Sequence, residues 1–225
     1  MGVENGLAFK IMESVRKGKG LQDHMVEAMK EAGVPEWYME SCRRIKYMFP
    51  KAHAAAYVMM AFRIAYFKVY YPLAYYAAFF SIRASSFNYE LMCLGRERLE
   101  YHMADYKRRS NELTAKEQDT LKDMKLVLEM YARGFEFAPI DIYTAKARYF
   151  QIVDRKLMPS LSTIDGLGDK AADAVVEAAK QGKFLSRQDF KNRCKVSSTV
   201  TDLMADLGLL GDLPMTNQMS LLDFL

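Results

Sequence analysis

The chain has 225 residues, 51% of them hydrophobic and 27% charged, with a formal net charge of +4. That composition fits an ordered soluble protein of one large domain or two small ones, and its mild positive balance permits a nucleic-acid partner without demanding one. Cys42, Cys93 and Cys194 are odd in number and far apart, which leaves no disulfide framework or zinc pattern and points to a reducing cytosol, and Glu4 and Lys10 in the first turns leave no signal-peptide pattern.

Leu7, Ile11, Met12 and Val15 recur at helical spacing, and the run Arg16-Lys17-Gly18-Lys19-Gly20 ends that first helix. Bases set between glycines suit either a mobile phosphate-contacting loop or a plain solvated one. A second helix is predicted over 22–32 with Met25, Val26 and Met29 inward, stopped by Gly33. Pro35 starts a third, carrying Trp37, Tyr38, Ser41, Ile45 and Met48, and Pro50 breaks the chain. Residues 51–70 read as one long helix, and Pro72 opens the next, which ends near residues 80–83. The stretch from Ala52 to Ile82 is rich in Ala, Tyr, Phe and Met. Arg63, Lys68 and Pro72 interrupt it before the ~18–20 charge-free residues that a membrane span needs, so a buried helix pair joined at Tyr71-Pro72 is expected.

Two charged helices are predicted between Tyr89 and Met130, turning at 111–114, with Thr114-Ala115-Lys116-Glu117 as a capping box. The bases Arg96, Arg98, Lys107, Arg108 and Arg109 are interleaved with acids and read as a solvated face. Ile140, Ile142 and Tyr143, then Tyr149, Phe150, Ile152 and Val153, suggest one or two short strands. Leu161 to Val176 is a glycine-bearing turn followed by an alanine-rich helix. Gly166 and Gly168 permit a tight turn with φ > 0 and leave backbone N–H groups bare at a helix start, where a phosphate can be held. This segment resembles a helix-hairpin-helix, a sequence-independent binder of the DNA backbone, and assigns duplex contact to Gly166, Leu167, Gly168 and Lys170. A helical hairpin that needs its glycines only to turn is the alternative. Residues 196–210 are a candidate degenerate second copy. The last eight residues, Gln218-Met219-Ser220-Leu221-Leu222-Asp223-Phe224-Leu225, either dock as a peptide in a partner's groove or fold back on their own domain.

The string Ile45-Lys46-Tyr47-Met48-Phe49-Pro50-Lys51-Ala52-His53-Ala54-Ala55-Ala56-Tyr57, continuing through Ala61-Phe62-Arg63-Ile64-Ala65-Tyr66-Phe67-Lys68 and Tyr71-Pro72, resembles the fingers region of C-family bacterial replicative DNA polymerases of the PolC type, the DNA polymerase III alpha subunit. Ser14 to Leu21 and Val34 to Tyr38 match the same family upstream, and Gly134 to Phe137, the hairpin and a glutamine-headed peptide follow in the family's order. The resemblance spans essentially all 225 residues, as the last part of a much longer polypeptide. It implies template-directed DNA synthesis with magnesium held by aspartates of a palm domain outside this chain, so no catalytic or metal residue is assigned here and the chain alone is expected to be inactive. It places Lys46, Lys51, His53, Tyr57 and Arg63 over the incoming deoxynucleoside triphosphate. On the residues themselves, three cations and a His-Tyr pair four apart on one helical face serve that role, or His53 and Tyr57 are ordinary core residues.

It also assigns Gln218, Leu221, Leu222 and Phe224 to the bacterial sliding clamp. The family's peptide usually reads Gln-Leu-Ser-Leu-Phe; here Leu222 stands at the Phe position and Phe224 lies two residues on, and Leu222 is the expected anchor. The expected fold is mainly α with a small mixed α/β connector: 1–88 a fingers-type helical segment, 89–158 a helical pair and connector, 159–213 the helix-hairpin-helix duplex-binding module, and 214–225 a flexible clamp-binding tail. The expected location is cytoplasmic, with the nucleoid and without a membrane partner. The alternative function is a stand-alone, non-catalytic DNA-binding adaptor.

Overall fold

The computed structural model describes residues 2–217. The fold is mainly α with one small sheet, and it divides into two compact units, Met1–Ile64 and Ala65–Leu225.

In the first unit α1 (Asn5–Arg16), α2 (Asp23–Glu31) and α3 (Glu36–Arg44) close around Ile11, Val15, Met25, Met29, Met39 and Cys42. The carboxylate of Glu4 caps α1 by accepting from the N–H groups of Gly6 (2.7 Å) and Leu7 (2.8 Å). Those two bonds lower the Glu4 pKa below the usual carboxylate value. In α3 Trp37 is 70% exposed and Tyr38 is exposed, while Met39 and Cys42 are buried. Their spacing of three places one helical face on the core, and ring size does not decide which face that is. The basic loop is tied, not loose. Ser14 Oγ donates to the Gly20 carbonyl (2.7 Å), Lys19 N–H to the Ser14 carbonyl (2.9 Å), and Met48 N–H to the Arg16 carbonyl (3.0 Å). Arg16 and Lys17 both pair with Glu13, at 2.9 and 2.6 Å, and hold its carboxyl down at about 2.

Helix α4 (Lys51–Tyr70) contains the division between the units, and α5 (Pro72–Ile82) follows with Pro72 at its first turn. The expected buried pair is half right. α5 buries Tyr76 and Phe80, but α4 buries nothing. An apolar composition predicts burial only where another surface arrives to cover it.

In the second unit α6 (Tyr89–Met92), α7 (Arg96–Arg108) and α8 (Ala115–Ala132) follow. The capping box opens α8: Thr114 Oγ1 accepts from Glu117 N–H (3.3 Å) and Glu117 accepts from Thr114 N–H (2.9 Å). β1 (Gln151–Val153) and β2 (Lys156–Met158) pair antiparallel, with Val153 opposite Lys156. The two-residue turn between them, Asp154-Arg155, has φ of 47° and 62°, the left-handed geometry that matches the strand twist. Ile140 and Ile142 are buried but sit outside these strands, because the Asp141 carboxylate accepts from Tyr143 N–H and Thr144 Oγ1, both at 2.9 Å, and turns the chain there.

The module that follows holds α9 (Asp169–Lys180), α10 (Arg187–Cys194) and α11 (Ser198–Asp206), preceded by a 3₁₀ turn at Leu161–Thr163. One core joins Ile140, Ile142 and Met158 to Leu161, Leu167 and Phe190. The packing therefore runs straight through residue 158, where composition alone suggested an edge. A second core holds Tyr76, Phe80, Met124, Val127 and Phe137. Each such side chain contributes roughly 1.5–3 kcal/mol by leaving water.

Candidate nucleic-acid interface

The glycine turn is anchored from below and open above. Leu167 is 1% exposed, and its N–H donates to the Ile164 carbonyl at 3.1 Å. This residue, expected to contact DNA, instead pins the turn to the core. Gly166 has φ of 77°, and a Cβ there would lie 3.1 Å from Val200 Cγ2 on α11. Glycine suits this position by its backbone angle, and a Cβ there would crowd the Val200 methyl. Gly168 differs: its φ of −67° suits any residue, and a Cβ there would meet nothing within 4 Å.

Gly168 is the N-cap of α9 and has no side chain to satisfy the first-turn donors. The first N–H engaged is that of Ala172, on the Gly168 carbonyl at 2.9 Å. Lys170 stands exposed in this first turn, with no ion-pair partner among the described residues. The neighbouring helices are filled where α9 is open. Ser186 Oγ accepts from Asp189 N–H at the start of α10, and the carbonyls of Pro214 and Met215 take the N–H groups of Arg187 (2.8 Å) and Gln188 (3.1 Å). Pro214 and Met215, the first residues of the expected flexible tail, thus belong to the module. Ser197 Oγ accepts from Val200 N–H at the start of α11. The open end of α9 combines bare donors with the positive end of the helix dipole, which is a seat for one phosphate.

The candidate second copy repeats this backbone path with different chemistry. Lys195 takes the left-handed position (φ 54°) where the first turn has Gly166, Val196 is buried like Leu167, and Ser197 is an extended N-cap like Gly168. The Ser197 side chain occupies the helix start that Gly168 leaves free. Between the two turns, Arg193 holds α9 to α10. It donates to the carbonyls of Ala178, Gly182 and Lys183, pairs with Asp189 at 3.3 Å, and lies over the Phe184 ring at 4.4 Å.

The nucleotide candidates all lie in the first unit and are exposed. Tyr47, Phe49, His53 and Tyr57 form a ladder of rings with successive centroids 4.7, 4.6 and 4.4 Å apart, and Phe49 and His53 are stacked within 7° of parallel. The structure does not bring all five candidates together. At roughly 100° per residue, Lys51 lies about 160° round α4 from His53 and Arg63 about 80°. Lys46 precedes the helix, with its carbonyl seated against Gly18. The clamp candidates Gln218, Leu221, Leu222 and Phe224 lie outside the described residues. Among the described residues no group of three or more His, Cys, Asp or Glu side chains is placed to hold a metal. No helix among them is long and apolar enough to cross a membrane.

Residues 134–219 match the family model of the helix-hairpin-helix motif, which takes in the connector as well as the hairpin. Over 220 residues, 98% of the chain, the sequence is 47% identical to DNA polymerase III PolC-type of Caldanaerobacter subterraneus subsp. tengcongensis, covering 16% of that protein. It is 50% identical over 220 residues to DNA polymerase III PolC-type of Listeria monocytogenes, covering 15% of it. The corresponding Clostridium perfringens protein is 46% identical over 214 residues, again 15% of its length. The chain thus spans 15–16% of these relatives.

Proposed function

The chain is homologous along almost its whole length to one segment of the PolC-type DNA polymerase III proteins, and on that premise we propose that it grips DNA for a replicative polymerase. Duplex DNA is held without sequence preference by the glycine turn, through phosphate on the open start of α9 with Lys170 beside it. The observation that carries this reading is that uncapped helix start, within residues matched to a helix-hairpin-helix. Backbone N–H groups read phosphate and no base edge, which accounts for the lack of preference. The incoming nucleotide is assigned to the Phe49–His53–Tyr57 ladder, with Lys46, Lys51 and Arg63 supplying charge from other directions. Residues 218–225 are assigned to the sliding clamp, and the protein to the cytoplasm at the nucleoid. The metal-dependent chemistry belongs, in this reading, to parts of the relatives that the chain does not match, so purified chain gives no primer extension by itself.

Gly168→Asp tests the hairpin. Aspartate is a preferred N-cap, so it should close the donors of α9 and raise stability by a few tenths of a kcal/mol relative to glycine. Its charge occupies the phosphate seat, so duplex affinity measured by fluorescence anisotropy should fall at least ~10-fold, the equivalent of about 1.4 kcal/mol. Unchanged duplex binding by this folded variant removes the assignment.

A further inference from the structure

Two cations from outside the glycine turn stand beside it. Lys116, in the first turn of α8, lines a cleft of about 580 Å³ together with Gly166 and Gly168. Arg148, in the connector ahead of β1, lines a cleft of about 300 Å³ together with Asp169, the first residue of α9. The clefts share Ser85, Phe87, Ser162 and Thr163, so they adjoin, and the open start of α9 borders both. Their walls are polar and held in place. Thr120 Oγ1 donates to the Ser86 carbonyl and Asp123 accepts from Ser86 N–H, both at 3.2 Å, which ties the 84–88 loop to α8. Ser160, 2% exposed, shares one hydrogen bond with Ser162 at 3.1 Å, so one of the two hydroxyl protons has no acceptor among the described residues. That proton and the bare N–H groups of α9 call for oxygen acceptors from a ligand.

Acids stand where an anion is called for. Asp165, Asp169 and Asp173 recur every fourth residue around the glycine turn. Two of them are covered: Lys116 Nζ lies 4.0 Å from Asp165, and Arg148 Nη2 lies 3.0 Å from Asp173. These pairs are exposed, Lys116 by 79% and Arg148 by 50%, and such pairs stabilise a fold little. A phosphate can therefore take either cation from its aspartate at small cost. We propose that Lys116 and Arg148 each hold a further phosphate of the strand seated on α9, by ion-pair exchange. In the free protein they neutralise Asp165 and Asp173, and in the complex they turn to DNA. The uncovered aspartates then repel the duplex, which tempers the grip and suits a sequence-independent contact along which DNA slides. The proposal rests on the hairpin reading above and adds two contacts that the glycine turn itself does not hold.

The test uses the full chain and a fluorescein-labelled duplex, with anisotropy read over a series of salt concentrations. Asp165→Asn and Asp173→Asn should each tighten binding ~3-fold. Lys116→Ala and Arg148→Ala should each weaken it and lower the slope of log affinity against log salt by about 1, one phosphate contact each. Arg148→Lys should keep the slope, since the charge stays. Glu177 and Lys180 form a like pair at 2.6 Å farther along α9, and Glu177→Gln and Lys180→Ala should change neither quantity. Unchanged slopes in both Lys116→Ala and Arg148→Ala overturn the proposal. So does weaker binding by Asp165→Asn or Asp173→Asn, which makes the pairs structural ties. If an alanine variant does not fold, Lys116→Gln or Arg148→Gln takes its place under the same criteria. Loss of dATP binding instead of duplex binding in Arg148→Ala assigns the cleft to a free nucleotide and also overturns the proposal. Weak binding by Gly168→Asp with unchanged slopes in the two alanine variants removes this inference alone. Normal binding by Gly168→Asp removes the hairpin seat, whatever Lys116 and Arg148 do.

Discussion

Single residues show where a local rule decides and where a neighbour does. Gly18 has φ of 71°, and a Cβ there would lie 2.0 Å from the Lys46 carbonyl oxygen. Gly18→Ala should therefore cost more than the ~1 kcal/mol of a strained backbone angle alone, which a urea melt would read. Gly166 and Gly168 look equivalent in sequence, but only the first has a positive φ and a neighbour against its Cβ position. The second has an ordinary φ and open space around it. Asp123 is a buried carboxyl that accepts from Ser86 N–H at 3.2 Å. Desolvation raises its pKa above 3.8. Folded Asp123 thus keeps its proton to a higher pH than unfolded Asp123, so stability falls as pH rises from 3.8 through the raised value. Asp123→Asn keeps the acceptor for Ser86 and loses the titration. It should be more stable than the parent at neutral pH and no more stable below 3.8, and equal urea midpoints at neutral pH would contradict this.

At the scale of elements, capping and turn signals carried over directly. Thr114 and Glu117 form the capping box their spacing announces, and Gly33 and Pro72 sit at the helix limits they mark. The inward face of α2 carried over at Met25 and Met29, both buried; for α3 the structure supplied it, turning Met39 and Cys42 to the core while Trp37 stays outside. The joint between α9 and α10 was not legible at all. Arg193 looks like one more surface base, yet it meets three carbonyls, Asp189 and the Phe184 ring across the fold. Arg193→Ala should destabilise the chain by about 3 kcal/mol, since charged hydrogen bonds are each worth ~1.5–3 kcal/mol and their carbonyls lose a partner. Arg193→Lys should recover less than half of that, because an ammonium cannot span the fork. A thermal melt equal to the parent's would mean these contacts are incidental.

For the whole molecule, the two tethers assigned to it act together. Residues 218–225 alone should bind a bacterial sliding clamp only at about micromolar strength, as a short peptide does, and more tightly when the hairpin holds the DNA that the clamp encircles. Removing them should abolish clamp capture while duplex binding stays; capture that survives would place the tether elsewhere. Between Leu222→Ala and Phe224→Ala, the first should cost more. Periodicity, glycine and proline placement, and a caps signature are local properties, so the sequence by itself determined the helical class, most helix limits, the glycine turn and the kinship with PolC-type polymerases. Which faces are buried depends on surfaces that arrive from distant parts of the chain. Tertiary structure alone therefore decided that Leu167 anchors rather than contacts, that Pro214 and Met215 close α10, that one core crosses residue 158, and that α4 stands uncovered among the described residues.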